Sequence, residues 1–144
     1  MTTLEAKLKN ATLAGPSLAP RDPHMLADAV RKCGLKLIRI DLKGVHDKAG
    51  LLDAVANGLG FPDWFGGNWD ALEDCLTDLS WNQARGYVVV LEHSADFIKR
   101  ASADFATARE VFESAAEYWG EQGKPFWTLF GGIDPPVSGL KPIS

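Results

Sequence analysis

Apolar residues recur along this chain in two alternating periods. In DPHMLADAVRKCG, Met25, Leu26, Ala29 and Val30 fall three or four residues apart, which predicts a helix with one apolar face. Asp22 suits the N-cap, Pro23 the first helical position, and Gly34 the left-handed residue just past the end. Three short, largely apolar runs come later: KLIRIDL (Lys36 to Leu42), GYVVVLEH (Gly86 to His93) and PFWTLF (Pro125 to Phe130). Their length and composition are those of buried parallel strands.

Helical spacing fills the gaps between these runs. Asp47 is placed to cap a segment with Leu51, Leu52, Val55 and Leu59 inward, closed by Gly58 and Gly60. Asn68 caps another helix, and Ser94 a short one through Phe97 and Ile98. A longer helix is expected from about Ala103 to Trp119, with Phe105, Ala108, Val111, Phe112, Ala115 and Trp119 at helical spacing and Gly120 and Gly123 ending it. Strands separated by helices predict an α/β fold. The expected core is a small three-stranded parallel sheet with right-handed crossovers, flanked by helices and preceded by an extra N-terminal helix. Residues 1–20 have no clear period and contain Gly15, Pro16 and Pro20, so they are expected to form an irregular arm. Residues 21–131 are expected to form one domain, and the Pro/Gly-rich residues 132–144 an irregular tail.

Composition adds little to this picture. With 46% hydrophobic and 24% charged residues in a length of 144, the chain has the material for one globular core and is too apolar to be disordered. No apolar run approaches the ~20 residues of a membrane span, and the first residues lack the apolar stretch of a secretory signal. A cytoplasmic protein without membrane contact is expected. Cys33 and Cys75 stand alone in the sequence and are expected to be buried, free thiols.

Charge changes the picture more. The net charge is only −4, yet no Lys or Arg occurs between Lys48 and Arg85. That gap holds Asp53, Asp63, Asp70, Glu73, Asp74 and Asp78, while the rest of the chain is slightly basic. Direct nucleic-acid binding through this segment is disfavoured, because phosphates demand a basic surface. A basic partner is favoured. On a helix starting at Asn68, Trp69, Leu72, Cys75, Leu76 and Leu79 form a buried stripe. Asp70, Asp74 and Asp78 fall four apart on another face, with Glu73 beside them. Like charges at that spacing cost about 0.2–0.5 kcal/mol per pair. Asp70 gains from the helix dipole, whereas Asp78 lies toward the disfavoured end. A solvated acidic face is one reading. A docking surface for a positive cleft is the other, supported by Trp64, Phe65, Trp69 and Trp81 in and beside the helix. Trp69 is expected to serve the core; Trp64 suits either role.

The segment WFGGNWDALEDCLTDLSW resembles the barstar family of ribonuclease inhibitors. Gly66, Asn68, Asp70, Ala71, Leu72, Asp74, Cys75, Leu76 and Thr77 carry the likeness without a gap, and it continues more loosely from Leu37 to Phe130. The resemblance implies an intracellular inhibitor that plugs the basic active site of a secreted, barnase-type ribonuclease with its acidic helix and the preceding loop. Asp74 would be the main phosphate mimic and Asp70 its support. Trp64 stands where the family has a tyrosine that meets the catalytic histidine. Gly66, Asn68, Ala71 and Thr77 match further contact positions, and Glu73, Asp78, Trp81 and Glu113 are expected to belong to the same partner-binding surface. Three positions depart from the family: Glu73 replaces a tryptophan, Gly67 replaces a glutamate, and Ser114 stands at the place of a contacting glutamate, with Glu113 its neighbour.

Two other functions are open to these residues. Asp70, Glu73 and Asp74 are of types that bind metal or transfer protons. However, carboxylates on one exposed face enclose nothing, and His24, His46 and His93 lack ligand spacing. No phosphate-binding Gly-rich loop, nucleophile elbow or Cys-x-x-Cys occurs. No enzyme, metal or cofactor is therefore expected. A monomeric binding module of the same fold for a different basic toxin or housekeeping protein is the other alternative.

Overall fold

The computed structural model describes residues 3–133, 137 and 139–143. In chain order the elements are Leu4–Lys9 (α1), Pro16–Leu18 (β1), Pro23–Cys33 (α2), Lys36–Asp41 (β2) and Lys48–Leu59 (α3). Trp69–Leu76 (α4), Tyr87–Glu92 (β3), Ala95–Arg100 (α5), Ser102–Glu121 (α6) and Phe126–Phe130 (β4) follow. All strands run parallel in one sheet of order β1-β4-β3-β2.

The α/β class and the three expected strands are found, but the sheet has a fourth strand. The first residues are not an irregular arm: they supply α1 and β1. β1 is too short to show a period, and it exists because β4 offers it a pairing edge. Pro16 lacks an amide hydrogen, which an edge strand tolerates. The outer side of β1 is partly covered in turn. Leu18 N–H donates to the Lys141 carbonyl at 2.9 Å, and Ile143 N–H donates to the Leu18 carbonyl at 3.2 Å. Among the described residues of the tail, Pro142 forms a parallel bridge with Leu18. Residues 134–136, 138 and 144 of that tail lie outside the described residues.

Several predicted helix ends are present. The Asp22 carboxylate accepts from His24 N–H at 2.9 Å and Met25 N–H at 3.3 Å, and Gly34 takes a left-handed φ of 69°. Asp47 accepts from Gly50 N–H at 2.8 Å, and Gly60, at φ 66°, ends α3. Gly58 does not end that helix. It lies inside α3, where a Cβ would sit 2.5 Å from Ile40 Cγ1, so its role is close packing on the sheet. Ser94 is not a side-chain cap either. Its fully buried hydroxyl donates to the Gly131 carbonyl at 2.8 Å, tying the start of α5 to the end of β4.

Alternation along the strands separates two cores. Tyr87, Val89 and Leu91 of β3, with Phe126 and Phe130 of β4, face the cluster built from α3, α4, α5 and α6. Val88, Val90, Trp127 and Leu129 face a second cluster containing Leu8, Leu26, Ala29 and Val30 from α1 and α2. β3 and β4 are therefore covered on both sides, as their almost uninterrupted apolar sequences require. The Trp127 indole N–H donates to the Leu8 carbonyl at 3.0 Å, which fixes α1 to the sheet. Met25, placed on the apolar face of α2 by its spacing, is instead exposed.

Candidate partner-binding surface

α4 begins where Asn68 leaves the helix for an extended conformation and its Oδ1 accepts from Ala71 N–H at 2.7 Å. Leu72, Cys75 and Leu76 are fully buried on its inner face. The free carbonyl of Leu76, near the helix end, accepts from the Trp119 indole N–H of α6 at 2.8 Å. α4 is thus held by both packing and a polar anchor. The helical spacing of Trp119 predicted its burial but not that its N–H would find a partner on α4.

Asp70 and Asp74 are exposed one turn apart on the outer face, and Glu73 beside them is half-exposed. The helix is shorter than predicted. Thr77 is its C-cap, and the Thr77 hydroxyl donates to the Glu73 carbonyl at 2.8 Å. Leu79 then takes a positive φ of 49° and is fully buried. The chain therefore turns to bury Leu79 rather than continuing the helix. No glycine marks that end, so the spacing alone suggested a longer helix. Asp78 is exposed in the following turn, not on the helical strip.

Five ion pairs occur among the described residues, and none uses Asp70, Glu73, Asp74 or Asp78. The last base before the acidic segment, Lys48, sits with Nζ 5.4 Å from the centroid of the half-buried Trp69 ring. That cation–π contact was not visible in the sequence, because the two residues belong to different helices.

The loop before α4 carries Gly66 and Gly67, both exposed, with Gly67 at φ 68°. Trp64 is 58% exposed, a large value for an indole. Its ring meets the half-buried Trp81 edge-to-face, centroids 6.2 Å apart. The Trp81 indole N–H donates to the Leu59 carbonyl at the end of α3, at 3.0 Å. Ala71 and Thr77 are half-buried, while Asn68 is exposed. Glu113 and Ser114 are exposed on α6, the helix against which α4 packs. Among the described residues, no hydrogen bond or ion pair joins Glu113 to α4. The fold therefore gathers Trp64, Gly66, Asn68, Asp70, Ala71, Glu73, Asp74, Thr77, Asp78 and Trp81 along one loop, helix and turn. Glu113 lies outside that segment, on α6.

A family model described as barstar (barnase inhibitor) matches residues 35–131. This chain belongs to the barstar family. The match spans β2 through β4 and every candidate residue above, whereas α1, β1 and α2 precede it. No curated protein matches the chain in a sequence comparison. The barstar family is one of inhibitors, not of enzymes. Among the described residues, no three His, Cys, Asp or Glu side chains converge as a metal site requires. Nor is any described helix long and apolar enough to cross a membrane.

Both cysteines are free, but only Cys75 is fully buried; Cys33 is half-buried. Burial pushes the Cys75 thiol up to about 11, with the Asp74 and Asp78 carboxylates adding to the effect. The thiolate is the reactive form, so Cys75 in this barstar-family protein is expected to be inert. Mass-spectrometric thiol labelling of the native protein should modify Cys33 first and Cys75 only after denaturation. Prompt labelling of native Cys75 would mean that α4 does not bury this face.

Proposed function

We propose that this barstar-family protein inhibits a barnase-type ribonuclease in the cytoplasm by seating α4 and the preceding loop in the enzyme's basic active site. The observation that carries this reading is the pair of exposed carboxylates, Asp70 and Asp74, without ion-pair partners among the described residues, on a helix whose inner residues Leu72, Cys75 and Leu76 are fully buried. A site that binds RNA phosphates collects positive charge. A rigid acidic helix satisfies that charge and offers no scissile bond. Asp74 is the main phosphate mimic, Asp70 supports it, and Trp64 meets the catalytic face.

Long-range attraction between the acidic segment and a basic cleft accelerates association, and salt screens it. Charges that become buried in the complex must be closely matched, or desolvation cancels the gain. This explains an outer face with poor local electrostatics: its acids await a partner's bases. One observation favours a second reading, a different basic protein as target. Glu73 presents a carboxylate where the family resemblance places an indole, which asks the partner for an additional cation.

The test is RNA cleavage by a barnase-type ribonuclease with this protein titrated in, at low and high salt. Inhibition is expected, weaker by about tenfold or more at high salt. Absence of inhibition by the folded protein at either salt would assign the acidic surface to another target.

A further inference from the structure

The loop before α4 is built on a chain of aromatic contacts. Phe61 and Phe65 meet at 5.0 Å between ring centroids, Phe61 and Trp81 at 6.0 Å, and Trp81 and Trp64 at 6.2 Å. Both contacts of Trp81 are edge-to-face, with interplanar angles of 83°. Trp81 is fixed independently of the loop by its 3.0 Å hydrogen bond to the Leu59 carbonyl. Leu59 is itself buried at the end of α3. Trp81 therefore connects the buried end of α3 to an exposed ring.

We propose that Trp81 is a positioning residue that holds the Trp64 ring in the pose presented to the partner, rather than a contact residue itself. The inference rests on the docking role proposed for Trp64. An exposed tryptophan on a glycine-containing loop would otherwise sample several rotamers, and ordering it on binding would reduce affinity. The contact with Trp81 orders it beforehand. The geometry fits this role: Trp64 remains mostly exposed and free to touch a partner, while Trp81 has its indole N–H committed inward.

A double-mutant cycle on ribonuclease inhibition tests the proposal, with thermal melting as a control for folding. Trp81→Leu is expected to weaken inhibition about tenfold in the parent protein but less than about twofold in a Trp64→Ala background. Trp81→Phe, which keeps a ring but loses the N–H, should fall between them. Equal losses in both backgrounds would overturn the proposal, because Trp81 would then act by another route. A second readout needs no partner. Two indoles this close and nearly perpendicular should give a coupled circular-dichroism signal that disappears in either Trp64→Ala or Trp81→Leu. Its absence in the parent protein would overturn the positioning contact whatever the inhibition assay gives. A coupled signal without any inhibition would support the contact and reject the ribonuclease reading.

Discussion

Asp74→Asn is expected to remove most inhibition of a barnase-type ribonuclease while leaving the fold intact. In the free protein Asp74 is exposed, makes no ion pair among the described residues and lies in the last turn of α4, where negative charge is disfavoured. Neutralising it should leave the melting temperature unchanged or slightly higher. In the complex the same carboxylate would be buried against the bases that hold RNA phosphate. Removing one member of a buried charge pair costs about 2–5 kcal/mol, much of it from the cation left unpaired. Charge pairs of the barnase–barstar complex itself are among the measurements behind that range, so it is a family magnitude applied to this chain. The expected result is a loss of inhibition of ~100-fold or more, mainly through faster dissociation, in a protein as stable as its parent. Asp70→Asn should cost less, in keeping with its supporting role. Full inhibition by Asp74→Asn would remove this residue from the centre of the interface.

Deleting residues 1–20 is expected to have the largest effect on stability, although this segment lies outside the family match. The deletion removes the fully buried Leu8, withdraws the hydrogen-bond acceptor of Trp127 and exposes the free edge of β4. Truncating one buried leucine to alanine typically costs about 2–5 kcal/mol. Losing all of α1 and β1 therefore rivals the ~5–15 kcal/mol by which domains are stable at all. A chain starting at Arg21 should melt far below the parent or fail to fold, and its open strand edge should promote aggregation. Leu8→Ala is the milder companion: it should stay folded but melt lower by roughly 10 °C, from about 3 kcal/mol at the scale expected for this chain length. An unchanged melting temperature for the deletion would mean that α1 and β1 do not pack on the sheet in solution.

Much of the fold is legible in the sequence because it depends on local chemistry. Asp22, Asp47 and Asn68 cap their helices as expected, since an N-cap forms within three residues of chain. The three longer strands lie where their apolar runs place them: β3 and β4 are buried on both faces and are apolar almost throughout, whereas β2, at the sheet edge, alternates between buried and exposed residues. Other features depend on residues far apart. Ser94 has the composition of a cap, but a carbonyl 37 residues away takes its hydroxyl. Gly58 has the composition of a helix end, but Ile40 on the neighbouring strand leaves room only for a glycine inside the helix. The end of α4 differs from its expected place because burial of Leu79, rather than a glycine, turns the chain.

The candidate surface divides in the same way. Residue type and spacing along single segments are enough to establish the main elements of the α/β fold, the uncompensated run of acids and the burial of the inner face of α4. Three-dimensional packing was needed to show that the first residues add a strand and contribute to a second core. It was needed as well to place Lys48 over Trp69, Trp119 at the end of α4, Asp78 beyond the helix and Trp81 beside Trp64. These features join segments that are distant or turn sharply, and periodicity along a chain carries no record of which segments meet.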